Sequence, residues 1–234
     1  MRIAPASSSP FLPYAPPGSG PVFPAGAQPL IYLHHQYGFA ADGSEWTSRI
    51  GAFKATQSNV AKRPTVTAGG LYSDGTKSMQ TEVLPLSAAP ALTIMLTLDF
   101  PLNVSGILIE GGIDYHNSGA FGFLAEANGT IYAAYTNAQE RAERAARNVV
   151  DTMVMRLQPP ADNNPLSFTM QSLALGYGST YYQTGVQPYG LADNVLNLFA
   201  RNNGAGPVGL SIRQLLIFPA ILTEAKVAEW MATF

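Results

Sequence analysis

The sequence predicts an all-β fold: two antiparallel sheets packed as a jelly-roll sandwich, entered by an extended N-terminal arm and closed by a short C-terminal helix. Three observations predict it. Apolar and polar residues alternate over many short segments, the period of a strand with one buried face. Turn-forming residues separate those segments at short intervals. Charged residues make up only 12% of the 234 while 47% are hydrophobic, enough for a sizeable core. Sandwiches commonly reach this length as one unit.

The arm comes first. Residues 1–29 carry Pro5, Pro10, Pro13, Pro16, Pro17, Pro21, Pro24 and Pro29, with Ser7, Ser8 and Ser9 among them. Proline lacks the amide donor that a helix or central strand needs, so neither is expected here. The segment is expected to be an anchoring arm that packs on another subunit or protein through Phe11, Tyr14 and Phe23. Residues 30–234 form the folded domain. No secretory leader is evident, because Ser, Pro and Gly follow Arg2 instead of an apolar run. The apolar stretches Pro90 to Leu102 and Leu210 to Leu222 are broken by Asp99 and Arg213. Both are shorter than the ~20 residues a membrane helix requires.

Strands follow from residue 30. Leu92, Ile94, Leu96, Leu98 and Phe100 alternate with Thr93, Met95, Thr97 and Asp99. Met153, Met155 and Leu157 alternate with Thr152, Val154 and Arg156 in the same way, as do Leu166, Phe168 and Met170 with Ser167, Thr169 and Gln171. Further strands are expected over 106–110, 120–125, 130–135, 194–200 and 210–218. Asn128-Gly129 is the strongest hairpin signal, since both residues tolerate positive φ. Asp74-Gly75 and Asn202-Asn203-Gly204 also read as turns. Two segments read as helical. Ala138 to Asn148 places Glu140 and Arg144, and Glu143 and Arg147, four apart, which predicts a short exposed helix. Arg141, Arg144 and Arg147 then form a solvated face with internal ion pairs. From Thr223 onward, a capping Thr and the face Val227, Trp230, Met231 and Phe234 predict a helix packed on the sandwich.

Several chemistries are excluded by composition. Without cysteine there is no disulfide, zinc–thiolate site, iron–sulfur cluster or thiol nucleophile. A net charge of −2 argues against a nucleic-acid surface. No Gly-x-Ser-x-Gly elbow and no phosphate loop is present. Glu110 and Asp114 lack the spacing of paired glycosidase carboxylates and read as exposed turn acids, so no catalytic residue is assigned. His34 and His35 are adjacent, which on a strand sends them to opposite faces, so no metal ligand is assigned to them. No cofactor is expected. Calcium is the one ion left open, with Asp114 and Asn117 as candidate oxygen ligands. The most suggestive polar patch runs from Gly176 to Gly190, where Tyr177, Tyr181, Tyr182 and Tyr189 offer ring faces and hydroxyls suited to a sugar or a protein partner.

The C-terminal stretch Gly209-Leu210-Ser211-Ile212-Arg213-Gln214-Leu215-Leu216-Ile217-Phe218, followed by Ala220-Ile221-Leu222-Thr223-Glu224, resembles the closing signature of concanavalin A-like, laminin G-type jelly rolls. There a strand of the form G-x-I-x-x-L-x-I-F/Y precedes A-L-T/S-x-x-E and a short helix. Upstream, Leu198-Phe199-Ala200-Arg201-Asn202 looks like the I-G-A-R strand of that family, with Phe199-Ala200 in place of Ile-Gly. Trp46 to Arg49, Arg63-Pro64-Thr65 and Leu71-Tyr72-Ser73-Asp74-Gly75 resemble the opening of such domains in bacteriophage and bacterial surface proteins. The resemblance implies two antiparallel sheets and a fold that hosts lectins, glucanases, adhesion modules and virion parts. By that analogy the expected role is a non-enzymatic bacteriophage virion protein, a capsid decoration or tail-fibre module assembled in the host cytoplasm. Its arm would contact other virion proteins, and it would form a homo-oligomer, trimers being favoured. The alternative is a carbohydrate-binding adhesin or lectin-like module that recognises host glycans through the four tyrosines.

Overall fold

The computed structural model describes residues 23–99, 101, 104–112, 114, 117–126, 130–136, 138–144, 149–160, 165–183, 190–201, 206 and 208–233. In chain order the strands are β1 (Ile31–His34), β2 (Glu45–Thr47), β3 (Lys54–Thr56), β4 (Thr65–Thr67), β5 (Gly70–Tyr72), β6 (Met79–Leu84), β7 (Leu92–Asp99) and β8 (Gly106–Gly111). They continue with β9 (Phe121–Ala125), β10 (Thr130–Tyr135), β11 (Ala138–Arg144), β12 (Val150–Gln158), β13 (Leu166–Ser172), β14 (Tyr177–Gln183), β15 (Asn194–Leu198) and β16 (Ser211–Phe218). Helix α1 spans Glu224–Met231. One sheet runs β14-β13-β12-β7-β16-β5-β4, with β1 also paired to β16; the other runs β11-β10-β9-β8-β15-β6-β3-β2. Neighbouring strands are antiparallel throughout the described pairings. The predicted two-sheet sandwich is the observed one.

The alternation places the core. Ile94 and Leu96 of β7 lie opposite Met155 and Met153 on β12, and opposite Ile217 and Leu215 on β16. They share one buried cluster with Phe121, Phe123, Ile131 and Leu198 of the other sheet. Each such fully buried side chain is worth about 1.5–3 kcal/mol, which is why register is strongly specified. The expectation of one buried face per strand fails for β7 and β12, where Thr93, Met95, Thr97, Val154 and Arg156 are buried as well. The reason is position. Both strands are central, and the chain after β16 crosses them: Thr93 Oγ1 donates to the Ala220 carbonyl at 2.7 Å and accepts from the Leu222 amide at 2.8 Å. Arg156 Nε donates to the Leu222 carbonyl at 2.7 Å.

The sequence reading needs correction in two places. Residues 138–144 are strand β11, not a helix, pairing antiparallel with β10 from Tyr135–Ala138 to Thr130–Arg144. Thr136, at φ 45°, turns the chain back on itself. The pairing offered by β10 overrides the local helix propensity of an Ala/Glu/Arg segment, and its charges suit the edge of a sheet. The Tyr-rich patch, to which no strand is assigned from sequence, carries strand β14 over Tyr177–Gln183, paired with β13 along that length. Asp74-Gly75 does form the predicted turn, with Asp74 Oδ1 accepting from the Thr76 amide at 2.9 Å. Asn128-Gly129 and Asn202 to Gly204 lie outside the described residues.

The chain divides into two compact units, Ala27–Leu222 with the strands, and Met1–Gly26 together with Thr223–Phe234. In the latter, Thr223 Oγ1 caps α1 by accepting from the Lys226 amide at 3.3 Å. Val227 and Trp230 are buried, and the Phe23 ring stacks on Trp230 with centroids 5.5 Å apart. One of the three expected arm anchors is thus engaged within its own chain. Phe11, Tyr14 and Phe234 lie outside the described residues. No helix of the described residues is long and apolar enough to cross a membrane.

Candidate functional site: a polar groove on the β12–β13–β14 face

Three of the four candidate tyrosines fall on β14; Tyr189 lies outside the described residues. Adjacent strand residues occupy opposite faces, so Tyr181 and Tyr182 hold alternate positions along β14. Register makes the assignment. Tyr181 lies opposite Phe168, a core residue, whereas Tyr182 lies opposite Ser167. Tyr182 is on the outward face, 70% exposed.

The outward face around Tyr182 is built by two cross-strand rows. Gln158, Ser167 and Tyr182 are successive partners across β12, β13 and β14; Arg156, Thr169 and Thr180 form the next row. Partners directly opposite have Cβ atoms about 4.5–5.5 Å apart, so the rows make a continuous grid. Apolar Leu166, Phe168 and Met170 occupy the core side of β13, which leaves Ser167 and Thr169 half-buried on the outside. With Pro165 and Ile221 these side chains line an open groove of about 480 Å³. Several of its polar groups are held in place. Arg156 is anchored on the Leu222 carbonyl, the Thr169 and Thr180 hydroxyls lie 3.0 Å apart, and Gln158 Nε2 donates to the Pro90 carbonyl at 3.3 Å.

The turn before β14 fixes where Tyr182 emerges. Asp151, buried, accepts from the Ser172 hydroxyl at 2.6 Å and from the Ala174 amide at 3.0 Å, and Ser172 Oγ accepts from the Leu175 amide at 3.1 Å. A Cβ at Gly178 would collide with the Met170 carbonyl, so glycine lets β14 lie close on β13. Sequence reasoning found Tyr182 and missed Arg156, Gln158, Ser167 and Thr169. Their signal was present in the alternation of β12 and β13, but a polar residue on an outward face looks the same whether or not it faces a groove.

The remaining candidates resolve differently. Glu110 is not an exposed turn acid: it sits on β8, fully buried. Arg201 of the family-like strand links it to Asp114, with Nε 3.8 Å from Glu110 Oε1 and Nη1 3.4 Å from Asp114 Oδ2. Beside them Asn197 Nδ2 donates to the Gly112 carbonyl at 2.8 Å and Gln80 Nε2 donates to Asn197 Oδ1 at 2.9 Å. This network borders a second cleft of about 530 Å³ lined by Ile107, Leu124, Glu126, Tyr132 and Arg201. An arginine on Asp114 makes that carboxylate a poor calcium ligand. His34 and His35 do not diverge either, because β1 ends at His34 and the next residue enters a turn. Their rings lie 4.5 Å apart. Among the described residues no group of three or more His, Cys, Asp or Glu could hold a metal ion.

No protein-family model matches the sequence, and no curated protein matches it. Solved structures do match in fold. A Trypanosoma rangeli sialidase in complex with sialic acid aligns at 18% identity and a TM-score of 0.57, over 93% of this chain and 34% of the sialidase. A mutant of the same enzyme displaying trans-sialidase activity aligns at 17% identity and a TM-score of 0.56, over 86% of this chain and 32% of that one. The CBM40 of a Ruminococcus gnavus IT-sialidase, bound to alpha2,6 sialyllactose, is a looser match at 17% identity and a TM-score of 0.45, over 63% and 85% of the two chains. The chain therefore spans about a third of the length of the sialidases it matches. It is a two-sheet antiparallel β-sandwich, and those sialidases match it in fold.

Proposed function

We propose that this domain is a carbohydrate-binding module whose sugar site is the groove on the β12–β13–β14 face. The observation that carries the reading is the exposed Tyr182 ring standing at the corner of a grid of polar side chains. A pyranose presents an apolar face and a rim of hydroxyls. An exposed tyrosine offers a stacking surface and a hydroxyl, while Gln158, Ser167, Thr169 and Arg156 supply donors and acceptors around it. The anchoring of Arg156, Gln158 and Thr169 on backbone carbonyls and a neighbouring hydroxyl lowers the cost of ordering on binding.

The test is a glycan array followed by solution titration of the strongest ligand. Sialylated glycans belong on the panel, because a sialidase that matches this chain in fold over about a third of its own length was solved with sialic acid. Binding is expected, with Tyr182→Ala weakening it about tenfold or more and leaving the fold intact. The place in a phage particle expected from the sequence gains no support from the fold or from the solved structures it resembles, and stands behind the glycan reading.

A further inference from the structure

A second cluster lies where β1 ends against β16, away from the tyrosine groove. It gathers Tyr32, His34, His35, Tyr37, Arg49 and Arg213. The His34 ring lies 4.5 Å from that of His35, 5.3 Å from that of Tyr37 and 5.8 Å from that of Tyr32. The Arg49 guanidinium stands 3.8 Å from the Tyr37 ring centroid and 5.4 Å from that of Tyr32. Gln214 is the register partner of His34 and is 4% exposed.

Two features of the backbone bring Arg213 to this place. The pairing of β16 with β7 is irregular between Ile212 and Gln214, which inserts Arg213 as an extra residue. Such bulges re-aim side chains and recur beside functional sites. Across from it, Gly70 at φ 116° lets β5 approach: a Cβ there would strike the Ile212 carbonyl and lie 2.9 Å from the Arg213 Cα.

The cluster is positively charged and under-satisfied. Among the described residues, His35 Nδ1, Arg213 Nε and Gln214 Oε1 are buried and have no hydrogen-bond partner. Buried polar groups are almost always paired, so three orphans in one place call for a cause. Arg213 joins none of the ion pairs among the described residues. The charges that bear on the imidazoles are cationic. Burial, then His35 and Arg49, brings His34 down to about 4, and burial, then Arg213, holds His35 below its ordinary value. An oxyanion answers each of these features. It accepts from a guanidinium N–H and an imidazole N–H, and it offsets the cationic charge that adds to burial in holding the histidines below their ordinary value. The Gln214 amide presents its NH₂ to such a ligand by a half-turn.

We propose that Arg213, His35, Gln214 and Arg49 form a binding site for an oxyanion, a sulfate, phosphate or carboxylate group, distinct from the groove at Tyr182. The source is either a free inorganic anion or the acidic substituent of a saccharide.

The probe is sodium sulfate, titrated into the whole chain against sodium chloride at equal ionic strength, with the His35 imidazole followed by NMR. A saturable shift of its signals is expected, together with a rise in the pH at which His35 titrates. Arg213→Met and His35→Gln should each weaken the sulfate response at least tenfold, with the fold of each checked by circular dichroism, while Lys54→Met leaves it unchanged. A second arm uses a sulfated disaccharide. Tighter binding than sulfate, lost in Arg213→Met, assigns the anion to a saccharide; a response to sulfate alone assigns it to a free anion. No saturable response of His35 to sulfate, or an equal response in folded Arg213→Met and His35→Gln, overturns the site. Tyr182→Ala leaves this readout untouched, so it stands or falls independently of the proposed sugar groove.

Discussion

Phe199 shows how a single residue can carry opposed constraints. It is fully buried, yet its φ is 68°, in the left-handed region that side chains other than Gly, Asn and Asp rarely adopt. Its amide donates to the Leu108 carbonyl at 2.9 Å and its carbonyl accepts from the Val208 amide at 2.8 Å, which holds the conformation in place. Glycine would adopt this backbone freely; this chain gives up that ease for a buried ring. Removing the ring costs about 3–5 kcal/mol, and relief of the left-handed strain returns about 1–2 kcal/mol. Phe199→Ala should therefore be less stable than Phe199→Gly by about 1 kcal/mol in chemical denaturation, the reverse of the usual order. An alanine variant as stable as the glycine variant or better would show that the left-handed backbone is not a constraint. This strain could not be read from the sequence, since a departure from a motif does not disclose a dihedral angle. The exposure of Tyr182 could be read only in part, because Tyr177, Tyr181, Tyr182 and Tyr189 share one composition signal.

At the scale of elements, the strands that alternate strictly were legible and the Ala/Glu/Arg segment of β11 was misread. β7, β12 and β13 carry period-two patterns, and all three are observed over nearly the expected spans. β11 has glutamate–arginine spacings that suit a helix equally well, and only the waiting edge of β10 decides between the two. Proline distinguishes them. In an edge strand, alternate amides point to the neighbour and to solvent. Of Gln139→Pro and Glu140→Pro, one should lower the melting temperature sharply and the other little. A helix would suffer at both positions, by about 3 kcal/mol each. The β1 end carries a pH dependence. His34 titrates near 4 in the folded chain, below its ordinary value of 6.5. Between those values the unfolded chain binds the extra proton. Stability is therefore full above about 6.5 and is lost as pH falls through about 4, by up to ~3 kcal/mol. His34→Gln should flatten the melting-temperature profile between pH 4 and 6.5; an unchanged slope would place the acid sensitivity elsewhere.

At the scale of the whole molecule, the two-sheet sandwich follows from alternation, turns and low charge, and the solved structures it resembles share that architecture. Function follows less directly, because one fold presents several faces and composition does not say which is used. Register and the crossing of residues 220–222 single out the β12–β13–β14 face, where a displayed ring meets an ordered polar grid. The central claim is that this groove holds a sugar. Titration of the best glycan from the array into the parent chain and into Tyr182→Ala tests it most directly. The account predicts saturable binding to the parent, weakened about tenfold or more in the variant at an unchanged melting temperature. Equal binding by the two proteins, or no binding to any glycan on the array, would contradict it.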